Sequence, residues 1–133
     1  MITSDSVAAK RRQANARAQE LRERIGDYLE ASATIPTGTS IRERIETQKN
    51  RILKLLGGSE RDWNSWQWQL SNRITEAEVL KKIINLSPGE LDDIRATGAK
   101  FRWAVSPYYA SLMDPDEPNC PIRLQSVPKL AEV

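Results

Sequence analysis

The chain has 133 residues, 39% of them apolar and 29% charged, enough for one ordinary domain with a lean core. Its formal net charge of +2 is too small to argue for a nucleic-acid partner, and no apolar run is long enough to span a membrane. One cysteine, Cys120, and no histidine exclude zinc fingers, disulfide frameworks, His-ligated metals and Ser-His-Asp or Cys-His nucleophiles.

The polar opening, Met1 to Ser6, lacks the apolar stretch of a secretory signal, and a reducing, cytoplasmic setting is expected. From Ser4 to Ser32 there is neither proline nor a β-branched run, and Ala, Arg, Glu and Leu dominate. This predicts one helix, in which Gly26 costs about 1 kcal/mol without breaking it. Ala14, Ala18, Leu21, Ile25, Tyr28 and Leu29 step by three and four into a single stripe. Its first half is only alanine, so residues 1–15 are expected to fray or to need a partner. Leu21, Ile25 and Leu29 are the candidate contact residues. After the break at Ile35-Pro36-Thr37-Gly38, Ser40 and Glu43 have capping-box spacing. They open a second helix predicted to bury Ile41, Ile45, Ile52, Leu55 and Leu56 and to stop at Gly57-Gly58. The two helices would make a hairpin over residues 1–58.

Ser59 and Asp62 open a third helix. Trp63, Trp66 and Leu70 fall on one face of it and read as core, while Trp68 points elsewhere and is the candidate for a separate contact surface. Thr75-Glu76-Ala77-Glu78 and Ser87-Pro88-Gly89-Glu90 are two further helix starts, the second with proline at the first helical position. Phe101, Trp103 and Val105 alternate with Arg102 and Ala104 and suit a brief strand or a helix equally. Ser106-Pro107 is another cap. Pro115, Pro118, Pro121 and Pro128 leave no room for a helix between Asp114 and Pro128. Lys129 to Val133 looks like an unfinished helix start and suggests a truncated product. The fold expected is all-α, with five to six helices and a Pro-rich C-terminal connector, and not a catalytic α/β barrel. Its parts are 1–58, 59–113 and 114–133.

None of these residues composes an active site. The clustered tryptophans with Arg61 and Arg73 could stack bases, but the helical spacing favours a core. Lys10-Arg11-Arg12, Arg17, Arg22 and Arg24 share their helix with Glu20, Glu23, Asp27 and Glu30, which favours intrahelical pairing over a basic arm. Asp114, Asp116 and Glu117 lack the glycine and distal glutamate of a calcium loop and read as turn formers. Cys120, with no second thiol nearby, reads as structural.

Three runs carry a resemblance. Asp62-Trp63-Asn64-Ser65-Trp66-Gln67-Trp68-Gln69-Leu70-Ser71-Asn72-Arg73-Ile74, then Ser106-Pro107-Tyr108-Tyr109-Ala110-Ser111-Leu112-Met113-Asp114-Pro115, then Pro118-Asn119-Cys120-Pro121-Ile122-Arg123-Leu124-Gln125 resemble, in order and spacing, the opening of the lysine 2,3-aminomutase family. The extension over 1–58, with Asp27-Tyr28-Leu29-Glu30 and Ile35-Pro36-Thr37-Gly38, looks more like the glutamate 2,3-aminomutase branch. The resemblance implies a parent that uses a [4Fe–4S] cluster, S-adenosylmethionine and pyridoxal phosphate to move an amino group between adjacent carbons. Such chemistry needs a cysteine triad for the cluster and a lysine for the Schiff base. Cys120 stands alone, so no catalytic, cofactor or metal residue carries over, and the chain by itself is expected to be inactive. It looks like a non-catalytic N-terminal region that assembles with a second copy, as a dimer, or clasps the catalytic barrel. The alternative is a free-standing helical interaction module derived from that family.

Overall fold

The computed structural model describes the backbone of residues 4–132 and the side chains of residues 6–131; Met1 to Thr3 and Val133, parts of two regions read above, lie outside it. Among the described residues the structure is all-α. It has nine helices: α1 (Ser4–Arg24), α2 (Gly26–Ser32), α3 (Arg42–Leu56), α4 (Glu60–Trp63), α5 (Trp66–Ser71), α6 (Ala77–Leu80), α7 (Pro88–Lys100), α8 (Pro107–Leu112) and α9 (Pro121–Ser126). A 3₁₀ turn follows at Leu130–Glu132. The chain divides into two compact units, Met1–Ser40 and Ile41–Val133. The division falls ahead of α3, which lies in the second unit.

Three local competitions make nine helices out of the expected five or six. The first predicted helix is interrupted at Ile25, which leaves helical geometry (φ −107°, ψ 16°), and restarts at Gly26. Glycine, the weakest helix former after proline, yields there at little cost. The third divides between Trp63 and Trp66. Asn64 adopts a turn conformation (φ −85°, ψ 1°), and Ser65, extended, caps a new helix by accepting the Trp68 N–H. The Pro-rich connector, expected to be helix-free, holds α9, because Pro121 sits at a first-turn position where its missing N–H is harmless.

The capping signals mostly form. Ser59–Asp62 and Ser87–Glu90 are complete reciprocal boxes, Ser106 accepts from the Tyr109 N–H, and Gly57 ends α3 in the left-handed region at φ 70°. The Ser40–Glu43 box does not form. Ser40 instead exchanges hydrogen bonds with Thr37, and Ile41 precedes α3 with no side-chain cap. The face of α3 is also rotated from the one expected: Gln48, Ile52 and Leu53 are buried, while Leu55 is exposed.

The core of the second unit gathers Ile52, Leu53, Trp63, Ile74, Leu80, Ile83, Ile84, Leu91, Ile94, Val105, Ala110, Met113 and Val127. α3 packs on α8, and α6 on α7. In place of a strand, the Phe101–Val105 segment makes one antiparallel bridge between Ile74 and Val105. Buried Gln48 donates to the Ile83 carbonyl at 3.1 Å, satisfying a polar group that would otherwise be costly inside.

The connector is ordered by one asparagine. Asn85 donates its backbone N–H to the Pro115 carbonyl at 2.9 Å and its amide to Asp116. Its own carbonyl accepts from Arg123 at 2.7 Å. Arg123, 2% exposed, also pairs with Glu90 at 2.8 Å, and Arg44 on α3 pairs with Asp114. Cys120 is buried, and its sulfur accepts the Asp114 N–H at 3.4 Å. Asp114 and Glu117 accept from nearby backbone N–H groups, as turn formers do.

Candidate interaction surfaces

In the first unit no side chain from residue 6 to residue 40 is buried. The stripe residues Leu21, Ile25 and Leu29 are 44%, 46% and 48% exposed, and α2 contributes nothing to a core. An isolated helix as short as the seven residues of α2 is marginal in water unless an apolar face is covered. The unit's charges are partly self-compensating: Arg17 pairs with Glu20 across three residues at 2.8 Å, the intrahelical arrangement expected from the sequence.

In the second unit the break at Asn64-Ser65 separates tryptophans expected to act together. Trp63 turns inward. Its ring lies 6.3 Å from Trp68 and 6.4 Å from Tyr108, with the Lys49 ammonium 5.9 Å from its centroid. Trp68 turns inward too, packing on the core so closely over Gly58 that a β-carbon there would stand 2.4 Å from its ring. Trp68 is thus partly buried against the core rather than pointing away from it. Trp66 and Leu70, expected in the core, are instead 70% and 51% exposed.

What replaces them outside is a groove of about 560 Å³ between α5 and the start of α8, walled by Trp66, Leu70 and Tyr108. Gln69 fixes its floor. Its amide donates to the Trp63 carbonyl at 3.0 Å and its carbonyl accepts the Tyr108 N–H at 2.8 Å, tying α4, α5 and α8 together. Arg73 is the one charged residue among those lining it, and its Nε donates to the Leu70 carbonyl at 3.0 Å. The sequence carried half of this signal: Ser65 ahead of Trp66 is an N-cap in its own right. Tyr108 comes from 39 residues away, a pairing no local pattern reveals. A second cleft, about 730 Å³, lies between α7 and the Arg102–Ala104 segment, with Arg73, Arg95, Phe101 and Trp103 on its walls. Arg95 there is already engaged by Glu78 and Asp92.

A single cysteine cannot supply the thiolate triad of an iron–sulfur cluster. No group of three or more His, Cys, Asp or Glu side chains that could hold a metal ion occurs among the described residues, and Cys120 is committed to the connector. A Schiff-base lysine is activated by lowering its pKa. Lys49, held between Glu60 and Glu46, is displaced the other way, chiefly by its hydrogen bond to Glu60. No helix among the described residues is long and apolar enough to cross a membrane.

No family model matches the chain. Among curated proteins it is 48% identical over 117 residues to glutamate 2,3-aminomutase of Clostridioides difficile (strain 630), a match covering 88% of this chain and 28% of that protein. It is 46% identical over 74 residues to L-lysine 2,3-aminomutase of Bacillus subtilis (strain 168), covering 56% of this chain and 16% of the relative. The Clostridium subterminale L-lysine 2,3-aminomutase is 44% identical over 75 residues, 56% of this chain and 18% of the relative. The chain therefore spans less than a third of the length of each of these relatives. A 117-residue stretch of a 133-residue chain includes residues 17–117 wherever it starts, so the glutamate enzyme's match takes in both the Leu21–Leu29 stripe and the groove. A 74-residue stretch always includes residues 60–74, so the matches to these lysine enzymes contain α4 and α5. The chain is a homologue of the N-terminal region of the 2,3-aminomutase family.

Proposed function

We propose that this chain is the non-catalytic N-terminal helical region of a cytoplasmic radical S-adenosylmethionine, pyridoxal-phosphate-dependent amino acid 2,3-aminomutase of the glutamate branch, and that its task is assembly. The observation that carries the reading is the stripe of Leu21, Ile25 and Leu29, close to half exposed in a unit with no buried side chain among residues 6–40. A helix that cannot cover its apolar face within its own unit is stabilised by covering it elsewhere. A second copy offers the same stripe, and a two-fold contact sets Leu21, Ile25 and Leu29 of one copy against those of the other. The catalytic barrel of the parent enzyme is the other surface such a clasp would grip.

Two experiments test this. In a two-fold contact the centre of the stripe faces itself, so Ile25→Cys brings two thiols close enough to bridge, and mild oxidation should give an intermolecular disulfide dimer, buried Cys120 staying reduced. Monomers after oxidation contradict the pairing. For the non-catalytic part, the chain is incubated anaerobically with iron, sulfide, S-adenosylmethionine, pyridoxal phosphate and glutamate. Neither β-glutamate nor a brown iron–sulfur chromophore should exceed the control; either one overturns it.

A further inference from the structure

We infer that the groove walled by Trp66, Leu70 and Tyr108 is the face on which the remainder of an aminomutase polypeptide docks, through an apolar ridge carrying a carboxylate opposite Arg73. This rests on the proposal that the chain is the N-terminal region of such an enzyme, but it concerns a different surface from the Leu21–Leu29 stripe.

Three observations carry it. The first is construction. The groove is not a loose surface: Gln69 locks its floor to two neighbouring elements, and Trp63 braces it from within against Trp68 and Tyr108. On that rigid frame stand Trp66, Leu70 and Tyr108, all more than half exposed. Large apolar groups held apart from the core on a fixed frame mark an interaction surface.

The second is distribution among relatives. Residues 60–74, which contain Trp66, Gln69, Leu70 and Arg73, fall inside the matches to the lysine and glutamate enzymes alike. Those relatives have at least about seven-tenths of their length outside the matched part. A segment matched in both kinds of enzyme suits a partner that both possess, and the long remainder of the polypeptide is one. A second copy of the 1–40 unit suits it less, because the matches to the lysine enzymes are too short to contain both Leu21 and Tyr108.

The third is charge. Arg73 is the one ionic group on the lining, and its Nε bond to the Leu70 carbonyl directs it along the end of α5. A cation at the rim of an otherwise apolar groove selects an occupant with an anion at that end.

The test uses a whole enzyme: C. difficile glutamate 2,3-aminomutase in which the matched segment is replaced by this chain. Trp66→Ser with Leu70→Ser should lower the thermal midpoint of this chimaera by about 5 °C or more while leaving the 133-residue chain alone unchanged, because both side chains are exposed there. Arg73→Glu should act in the same direction, and Arg73→Lys should not. In a second measurement, a thiol introduced by Trp66→Cys should react with N-ethylmaleimide about tenfold more slowly in the chimaera than in the chain alone, read on the labelled peptide by mass spectrometry. A folded chimaera whose midpoint and labelling rate ignore these substitutions overturns the docking face, yet leaves the parent reading standing. An unsubstituted chimaera that does not fold overturns both.

Discussion

The two units of this chain handle the same problem, short helices with little apolar surface, in opposite ways. In Ile41–Val133 seven short helices share one core, and six side chains from residues 52 to 94 are 2% exposed or less. Capping boxes at Ser59–Asp62 and Ser87–Glu90 start helices that could not persist alone. In Met1–Ser40 there are two helices, one of 21 residues and one of 7, and no buried side chain between residues 6 and 40. Length and propensity do not make a helix self-sufficient; a covered face does. The difference separates a unit with its own core from one whose residues 6–40 bury no side chain.

The largest effects should come from breaking the self-sufficient unit. Trp63→Ala removes a ring 8% exposed that touches Trp68 and Tyr108 and should cost about 3–5 kcal/mol. Trp66→Ala, three residues on and 70% exposed, should stay within about 0.5 kcal/mol in the chain alone. Urea midpoints of the two variants measure this directly, and equal shifts would contradict the split between α4 and α5.

Next comes Glu90. Its carboxylate caps α7 through the Ser87 N–H and hydroxyl and pairs with buried Arg123. Burial, the largest single influence on this carboxyl, raises its pKa. The Ser87 bonds and Arg123 together outweigh it and hold the group below its ordinary 4.5. A carboxyl whose folded pKa is depressed contributes stability above its unfolded pKa and loses it as pH falls through the folded value. Asp62, lowered first by the Ser59 hydroxyl and then by the Ser59 N–H, acts in the same sense. The Ile41–Val133 unit should therefore weaken progressively below about pH 4.5. Glu90→Gln should cost about 3 kcal/mol at pH 7 by stranding the Arg123 charge, and should flatten that acid slope. Urea unfolding at pH 7 and at pH 3.5 reads both effects.

A smaller change should follow at Gly58. A β-carbon there meets Trp68 at 2.4 Å and Leu53 at 2.9 Å, so Gly58→Ala should cost about 1–3 kcal/mol through overpacking, seen as a lower thermal midpoint. The smallest belongs to the first unit: Leu21→Asp or Ile25→Asp should change the unfolding free energy of the second unit, read from urea unfolding, by less than about 0.5 kcal/mol. A large shift there would mean that the two units do not melt independently.

What the sequence made legible follows from range. Ser59–Asp62, Ser87–Glu90, Ser106 and Gly57 act over three or four residues, and each formed as read. The misreadings occurred where two local signals competed. Ser40 bonds Thr37 rather than capping with Glu43, and Ser65 starts a helix inside what looked like one continuous face. Pro121 both ends the connector's extended stretch and begins α9. The groove and the Asn85 fastening were hidden for another reason. Their partners come from 39 and 30 or more residues away, and helical periodicity carries no information at that distance. The break at Ile25 was not legible either: the spacing of Leu21, Ile25 and Leu29 reads as one continuous helix, whereas Leu21 lies on α1 and Leu29 on α2.

The claim that the first unit is stabilised from outside its own chain is tested most directly by sedimentation equilibrium at micromolar concentration, paired with hydrogen exchange of the 4–32 amides. The account predicts a self-associating species, a dimer, whose 4–32 amides are protected. Leu21→Asp or Ile25→Asp should return it to monomer and strip that protection, because each would bury an unpaired charge at the contact. A strict monomer whose 4–32 amides are nonetheless fully protected would contradict it.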